Sequence, residues 1–96
     1  MRVEVLEEAE QDLVDGARFY EAREPGLGQH YLDSLFSDVD SLQLCAGIHA
    51  VHFGYHRLLS KRFPYAIYYR VHGDVAQVWA VLDCRQEPRK VEMRLT

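Results

Sequence analysis

The chain has 96 residues, 48% of them hydrophobic and 27% charged, with a formal net charge of −4. That is room for one domain, 1–96, and the composition excludes disordered, collagen-like and coiled-coil classes. No run approaches the ~20 apolar residues of a membrane span, and Met1-Arg2-Val3-Glu4 lacks a signal-peptide core, so a cytoplasmic protein without membrane association is expected.

Charge is unevenly distributed along the chain. Residues 1–48 hold three arginines against eleven carboxylates, a balance of −8, whereas residues 49–96 hold eight basic and four acidic groups, a balance of +4. Such a split points to an acidic or polyanionic partner for the basic half, or to a solvated acidic helix in the first half.

Arg2 to Leu6 alternates apolar and polar residues and predicts a short terminal strand. From Glu7 the period lengthens: Ala9, Leu13, Ala17 and Tyr20 fall at helical spacing, and Glu7, Glu8 and Glu10 suit the positive end of a helix dipole. Pro25-Gly26-Leu27-Gly28 breaks this helix. A second follows with Leu32, Leu35, Phe36, Val39 and Leu42 as its apolar stripe, completing an antiparallel helical hairpin. Cys45 to Gly54 has no clear period and is expected to be loop.

The remaining residues read as strands over 55–63, 65–72 and 75–83, rich in β-branched and aromatic residues. Gly73-Asp74 suits a type II′ hairpin turn, which sets His72 opposite Val75 and, counting back, Tyr68 opposite Trp79. One face then carries Tyr65, Ile67, Tyr69, Val71, Ala76, Val78, Ala80 and Leu82, and is expected to meet the helices. The other carries Ala66, Tyr68, Arg70, His72, Val75, Gln77, Trp79 and Val81, with no helix left to cover it. The fold class expected is α+β, a helical hairpin packed on one face of a small, mainly antiparallel sheet.

Familiar catalytic signatures are absent: there is no Gly-rich phosphate loop, Gly-x-Ser-x-Gly elbow or zinc quartet. His49, His52 and His56 have spacings seen among metal ligands but no Cys or carboxylate companion, and they read as a solvated or partly packed cluster. No metal or cofactor is expected. Cys45 and Cys84 lie far apart outside any Cys-x-x-Cys pattern, as two thiols rather than a disulfide. The arginines and lysines of the strand half are the more informative group. Arg57, Lys61 and Arg62 flank one strand, Arg70 lies on the open face and Arg85 follows the last strand. They suit a phosphate or an acidic protein segment.

Two segments carry a family resemblance. Arg57-Leu58-Leu59-Ser60-Lys61-Arg62-Phe63-Pro64-Tyr65-Ala66-Ile67-Tyr68-Tyr69-Arg70-Val71 resembles the R-x-x-x-x-x-F-P-Y-x-I-Y-Y core of RelE/ParE toxins. Val78 to Pro88 is similar to the V-x-A-V-x-x-x-R-x-P stretch of that family, and Ala9, Leu13, Tyr20 and Pro25-Gly26-Leu27-Gly28 are similar to its helical hairpin. The resemblance implies a β-α-α-β-β-β fold. It also implies the toxin role in a type II toxin–antitoxin, plasmid-stabilisation-type system, with neutralisation by an antitoxin from the adjacent gene. On the open face, Tyr68, Arg70, Gln77 and Trp79 are the expected antitoxin contacts.

Family members divide by chemistry. RelE-like toxins cut messenger RNA in the ribosome; ParE-like toxins inhibit DNA gyrase by protein contact. Here one nuclease arginine position is Ala66 and the C-terminal tyrosine position is Val91, while the later arginine is retained as Arg85. The chain thus resembles the ParE branch more closely, with no catalytic residue assigned and Arg57, Lys61, Arg62 and Arg85 as expected target contacts. The alternatives are a ribosome-dependent endoribonuclease, or a degenerate non-toxic member acting only in complex with its antitoxin.

Overall fold

A computed structural model describes residues 1–96. In chain order it contains β1 (Arg2–Val5), α1 (Glu7–Arg23), α2 (Leu27–Asp40), a short α3 (Leu42–Cys45), β2 (Val51–His52), β3 (Tyr55–Leu59), β4 (Tyr65–His72), β5 (Val75–Asp83) and α4 (Pro88–Leu95). The strands form one sheet in the order β1-β5-β4-β3-β2. β1 runs parallel to β5, and the other pairs are antiparallel. The class is α+β, as the periodicity implies.

The helical hairpin forms because its two helices can approach closely. Gly16 of α1 lies against the Tyr31 ring, where a Cβ would collide, and a Cβ on Gly28 would sit 2.7 Å from the Ala17 carbonyl oxygen. Between the helices Gly26 takes φ 89°. No side chain caps α2 locally. Instead the Glu21 carboxylate of α1 accepts the Gly26 and Gly28 N–H groups at 3.1 and 3.0 Å, which satisfies donors that a helix start leaves free.

The main core joins Ala9, Leu13 and Tyr20 of α1 and Tyr31, Leu35 and Val39 of α2 to Tyr65, Ile67, Tyr69, Ala76, Val78 and Val81 on the back of the sheet. Tyr31, not Phe36, completes the buried line of α2; Phe36 is exposed. Aromatic rings dominate one end, where Tyr31 meets Phe63 and Tyr65 edge-on with centroids 5.3 and 5.0 Å apart.

The β4–β5 hairpin keeps the expected register from His72↔Val75 to Tyr69↔Val78 and then shifts, so that Tyr68 pairs with Ala80, Ile67 with Val81 and Ala66 with Leu82. Trp79 is the extra residue of a β-bulge. Beyond it every side chain of β5 changes face. Val81 joins the helix-side core, while Ala80 and Leu82, expected there, pack on the front. Tyr68 does not face Trp79.

Nor is the front bare along its whole length. The segment after β5 forms α4, with Pro88 in its first turn, a position where the missing N–H is harmless. Val91 and Leu95 of α4 cover Ala66, Tyr68, Ala80 and Leu82 in a second core. Arg94 anchors the helix by donating to Asp12 of α1 at 2.8 Å, and the same carboxylate accepts the Val81 N–H of the β5 edge at 2.9 Å.

Two further expectations need correction. The 45–54 segment is not all loop: after α3, residues 51–52 pair with β3 through a tight turn in which Phe53 and Gly54 both take positive φ, 56° and 83°. The strand expected over 55–63 ends at Leu59, and residues 60–64 turn tightly, Ser60 N donating to the Tyr65 carbonyl at 2.9 Å.

Candidate binding face on the sheet

Because α4 covers only the Ala66–Leu82 end, the front of the sheet is divided. At the other end Glu4 of β1, Gln77 and Trp79 of β5 and Arg70 of β4 lie side by side without a covering helix, and Tyr55 of β3, 5% exposed, lies beneath Arg70 as the floor of the patch. Within β5, Gln77 and Trp79 share the front by simple alternation, and the bulge changes the facing side chains only beyond Trp79.

The patch is internally ordered. The indole N–H of Trp79 donates to Gln77 Oε1 at 3.1 Å, and the Gln77 amide donates to Glu4 Oε1 at 2.9 Å. Tyr55 and Trp79 rings stand with centroids 5.7 Å apart. The Arg70 guanidinium lies 4.0 Å from the Tyr55 ring centroid and 5.5 Å from that of Trp79, both within cation–π range. Arg70, Gln77 and Trp79, expected contacts, are therefore brought together. Tyr68 is not on the open surface: it is 4% exposed beneath α4, in the second core to which buried Tyr55 also belongs and against which Trp79 packs. Tyr55 and Glu4 are the members that sequence reasoning missed, because neither the β3 register nor the β1–β5 pairing was assigned.

The four basic residues expected to contact a target do not form one site. Arg57 lines a cleft of about 180 Å³ between the β2–β3 turn and α4, with His52, Phe53, Tyr68, Cys84 and Gln86. Lys61 and Arg62 line a separate polar groove of about 360 Å³ against α2, with His30, Asp33, Ser37 and Asp38. Asp38 is buried there and accepts the Ser60 hydroxyl at 2.7 Å. Arg85 is held by Asp83 through Nε at 3.0 Å and Nη2 at 2.8 Å. That pairing keeps the Asp83 carboxyl below its ordinary range and raises Arg85.

Groups with catalytic potential are muted by their surroundings. Burial raises the Tyr68 phenol, against the opposing Arg57 guanidinium, and burial likewise raises the Cys84 thiol, so both hold their protons at neutral pH. Tyr65 is pushed up to about 12 by burial. Ala66 and Val91, at the two altered nuclease positions, are both buried in the second core. The histidines diverge. His49 and His56 face Tyr69, one edge-on and one stacked, whereas His52 lines the front cleft. No group of three or more His, Cys, Asp or Glu is arranged to hold a metal ion. No helix is long and apolar enough to cross a membrane.

No family model matches the sequence, and no curated protein is similar to it at a significant level. Among solved structures, a chain of the chromosomal ParDE TA system from P. aeruginosa superposes with a TM-score of 0.76. The match covers 84% of this chain and 92% of that one at 22% sequence identity. At that identity the likeness establishes a common fold.

Proposed function

We propose that the chain is the toxin of a type II toxin–antitoxin pair, neutralised by an antitoxin segment laid across the uncovered end of the sheet's front face. The observation that carries this reading is the ordered Arg70–Gln77–Trp79 patch, set on the buried Tyr55 ring, on a fold shared with a chain of a ParDE TA system. Large aromatics beside an arginine are the residues that dominate protein interfaces. A fold alone does not define an activity; the patch supplies the specific feature.

Action by protein contact, with DNA gyrase as the target, is favoured over RNA cleavage. Ribonuclease chemistry needs a charge-stabilising cation and a proton carrier beside one phosphate. In this chain the corresponding positions are apolar and buried, and the remaining cations are spread over two clefts and an ion pair. An acidic protein, pI about 5.7, also lacks the net charge that drives binding to ribosomal RNA. The same acidic balance favours one second reading, a non-toxic member that acts only in complex with its antitoxin.

Induced expression in bacteria, with and without the small adjacent open reading frame, tests these readings. Growth arrest that the neighbour relieves, with filamentous cells and loss of gyrase supercoiling activity in vitro, is the expected result. New messenger 5′ ends at ribosomal A-site positions would instead identify an endoribonuclease using Arg57, Lys61, Arg62 or Arg85. Normal growth with folded protein would identify the non-toxic complex former.

A further inference from the structure

Arg70 is a cation without a counter-ion in a site assembled from several strands. Its Nε points to the Gly54 carbonyl at a long 3.4 Å, and its guanidinium lies over Tyr55 and near Trp79. No carboxylate is within ion-pair distance: the ion pairs of the molecule join Asp83 to Arg85 and Arg94 to Glu8 and Asp12. Glu4, on the same face, is engaged by Gln77, and Gln77 in turn fixes the Trp79 indole. Buried Tyr55 as the floor and Trp79 as a wall are therefore set before any ligand arrives, and the stacked guanidinium has already given up much of its side-chain freedom.

We infer that Arg70 seats the carboxylate of an Asp or Glu side chain on the docked protein segment, its terminal nitrogens gripping the two oxygens beside Trp79 while the guanidinium stays packed on buried Tyr55. The inference rests on the docking reading above and adds the chemistry that the partner must bring. A planar fork meeting a carboxylate makes two parallel charge-assisted bonds, and the aromatic rings lower the local dielectric that would otherwise weaken them. Charge complementarity selects a protein carboxylate over a nucleic-acid strand. A strand presents a phosphate at every nucleotide and needs several cations in succession. On this face Arg2 and Glu4, two residues apart on β1, offset one another, which leaves Arg70 as a single uncompensated cation. A single carboxylate on an otherwise apolar or neutral segment matches one unpaired arginine framed by aromatics.

Calorimetry of the full chain against the product of the adjacent open reading frame tests this. Wild type, R70Q and R70K are each titrated, and each Asp and Glu of the partner is changed in turn to Asn or Gln. R70Q is expected to weaken binding at least about 30-fold. One partner substitution should match it, and the double variant should lose little more than either single one. R70K, which keeps the charge and the stem but not the fork, should recover only part of the affinity, and circular dichroism verifies that each variant is folded. Binding by R70Q within about threefold of wild type, or no partner carboxylate coupled to Arg70, overturns the inference and leaves the docking reading standing. Failure of the wild-type chain to bind the partner overturns both. Displacement of the partner by a short single-stranded RNA that binds wild type and not R70Q would overturn the carboxylate assignment in favour of phosphate.

Discussion

Tyr69 is fully buried, and its hydroxyl accepts the Gly47 N–H at 2.9 Å and is hydrogen-bonded to Nδ1 of His49. His56 stacks on the same ring, and its Nδ1 is hydrogen-bonded to the His49 carbonyl at 2.7 Å. Burial, with His56 adding to it, lowers the His49 pKa from the ordinary 6.5. The sign follows by linkage: as pH falls, the unfolded chain takes up the proton before the folded one. Stability from this contact is complete above pH 6.5 and is lost as pH falls below that value towards the lowered folded-state pKa. Urea unfolding between pH 8 and pH 5 should show that decline, and His49→Gln, which removes the titrating group, should flatten it. A slope unchanged in His49→Gln would dissociate His49 from the effect. Nothing in the spacing of His49, His52 and His56 distinguishes this arrangement from a metal site or a solvated cluster; the partner, Tyr69, lies 20 residues downstream.

At the scale of elements, the bulge in β5 determines which side chains beyond Trp79 face the front and which face the main core. Turn chemistry at Gly73-Asp74 made the register legible for four pairs, and Arg70 and Gln77 lie within that reach. The shift at Trp79 was illegible because neither Gly nor Pro marks it, so alternation extended past it misassigns Ala80, Val81 and Leu82. Helix α4 escaped for a different reason. In Pro88-Arg89-Lys90-Val91-Glu92-Met93-Arg94-Leu95 only Val91 and Leu95 are buried, too sparse a stripe to separate a two-turn helix from a charged tail. Phe53 in the left-handed region similarly hid the β2–β3 turn, since a bulky residue is uncommon there. Deletion of Trp79 would join Val78 directly to Ala80 and regularise the ladder with both faces still correctly filled. The variant is expected to unfold cooperatively, within about 2 kcal/mol of wild type, as measured by circular dichroism. It should lose partner binding by at least about 2 kcal/mol in calorimetry. A molten variant, or one that still binds, would contradict this account of the bulge.

For the molecule as a whole, Asp12 ties together segments far apart in sequence. Its carboxylate accepts from the Val81 backbone and from Arg94, 69 and 82 residues away. Burial raises its pKa in spite of both bonds, so the site is desolvated and depends on its partners. Asp12→Ala would leave the Val81 N–H without its acceptor and the half-buried Arg94 with only the exposed Glu8 carboxylate at 4.0 Å, at a cost of about 2–3 kcal/mol. Denaturant unfolding at neutral pH measures it, and a loss below about 0.5 kcal/mol would mean that water replaces the carboxylate. Local periodicity made the helical hairpin and the β4–β5 hairpin legible because each is assembled from neighbours in sequence. The Asp12 contacts, like the β1–β5 pairing, link distant segments and leave no periodic trace.

The parallel pairing of β1 with β5 also orders events during synthesis. Arg2 finds its ladder partner in Val75, so the first strand emerges and waits while the intervening chain is made, several seconds at ~5–20 residues per second. The Glu4–Gln77–Trp79 relay cannot exist before then, and neither can the cradle around Arg70. A nascent chain therefore presents no finished front face, and any segment that docks there must meet a chain whose last strand has already closed. The rate of such an encounter is set by how much of the docking protein is present at that moment.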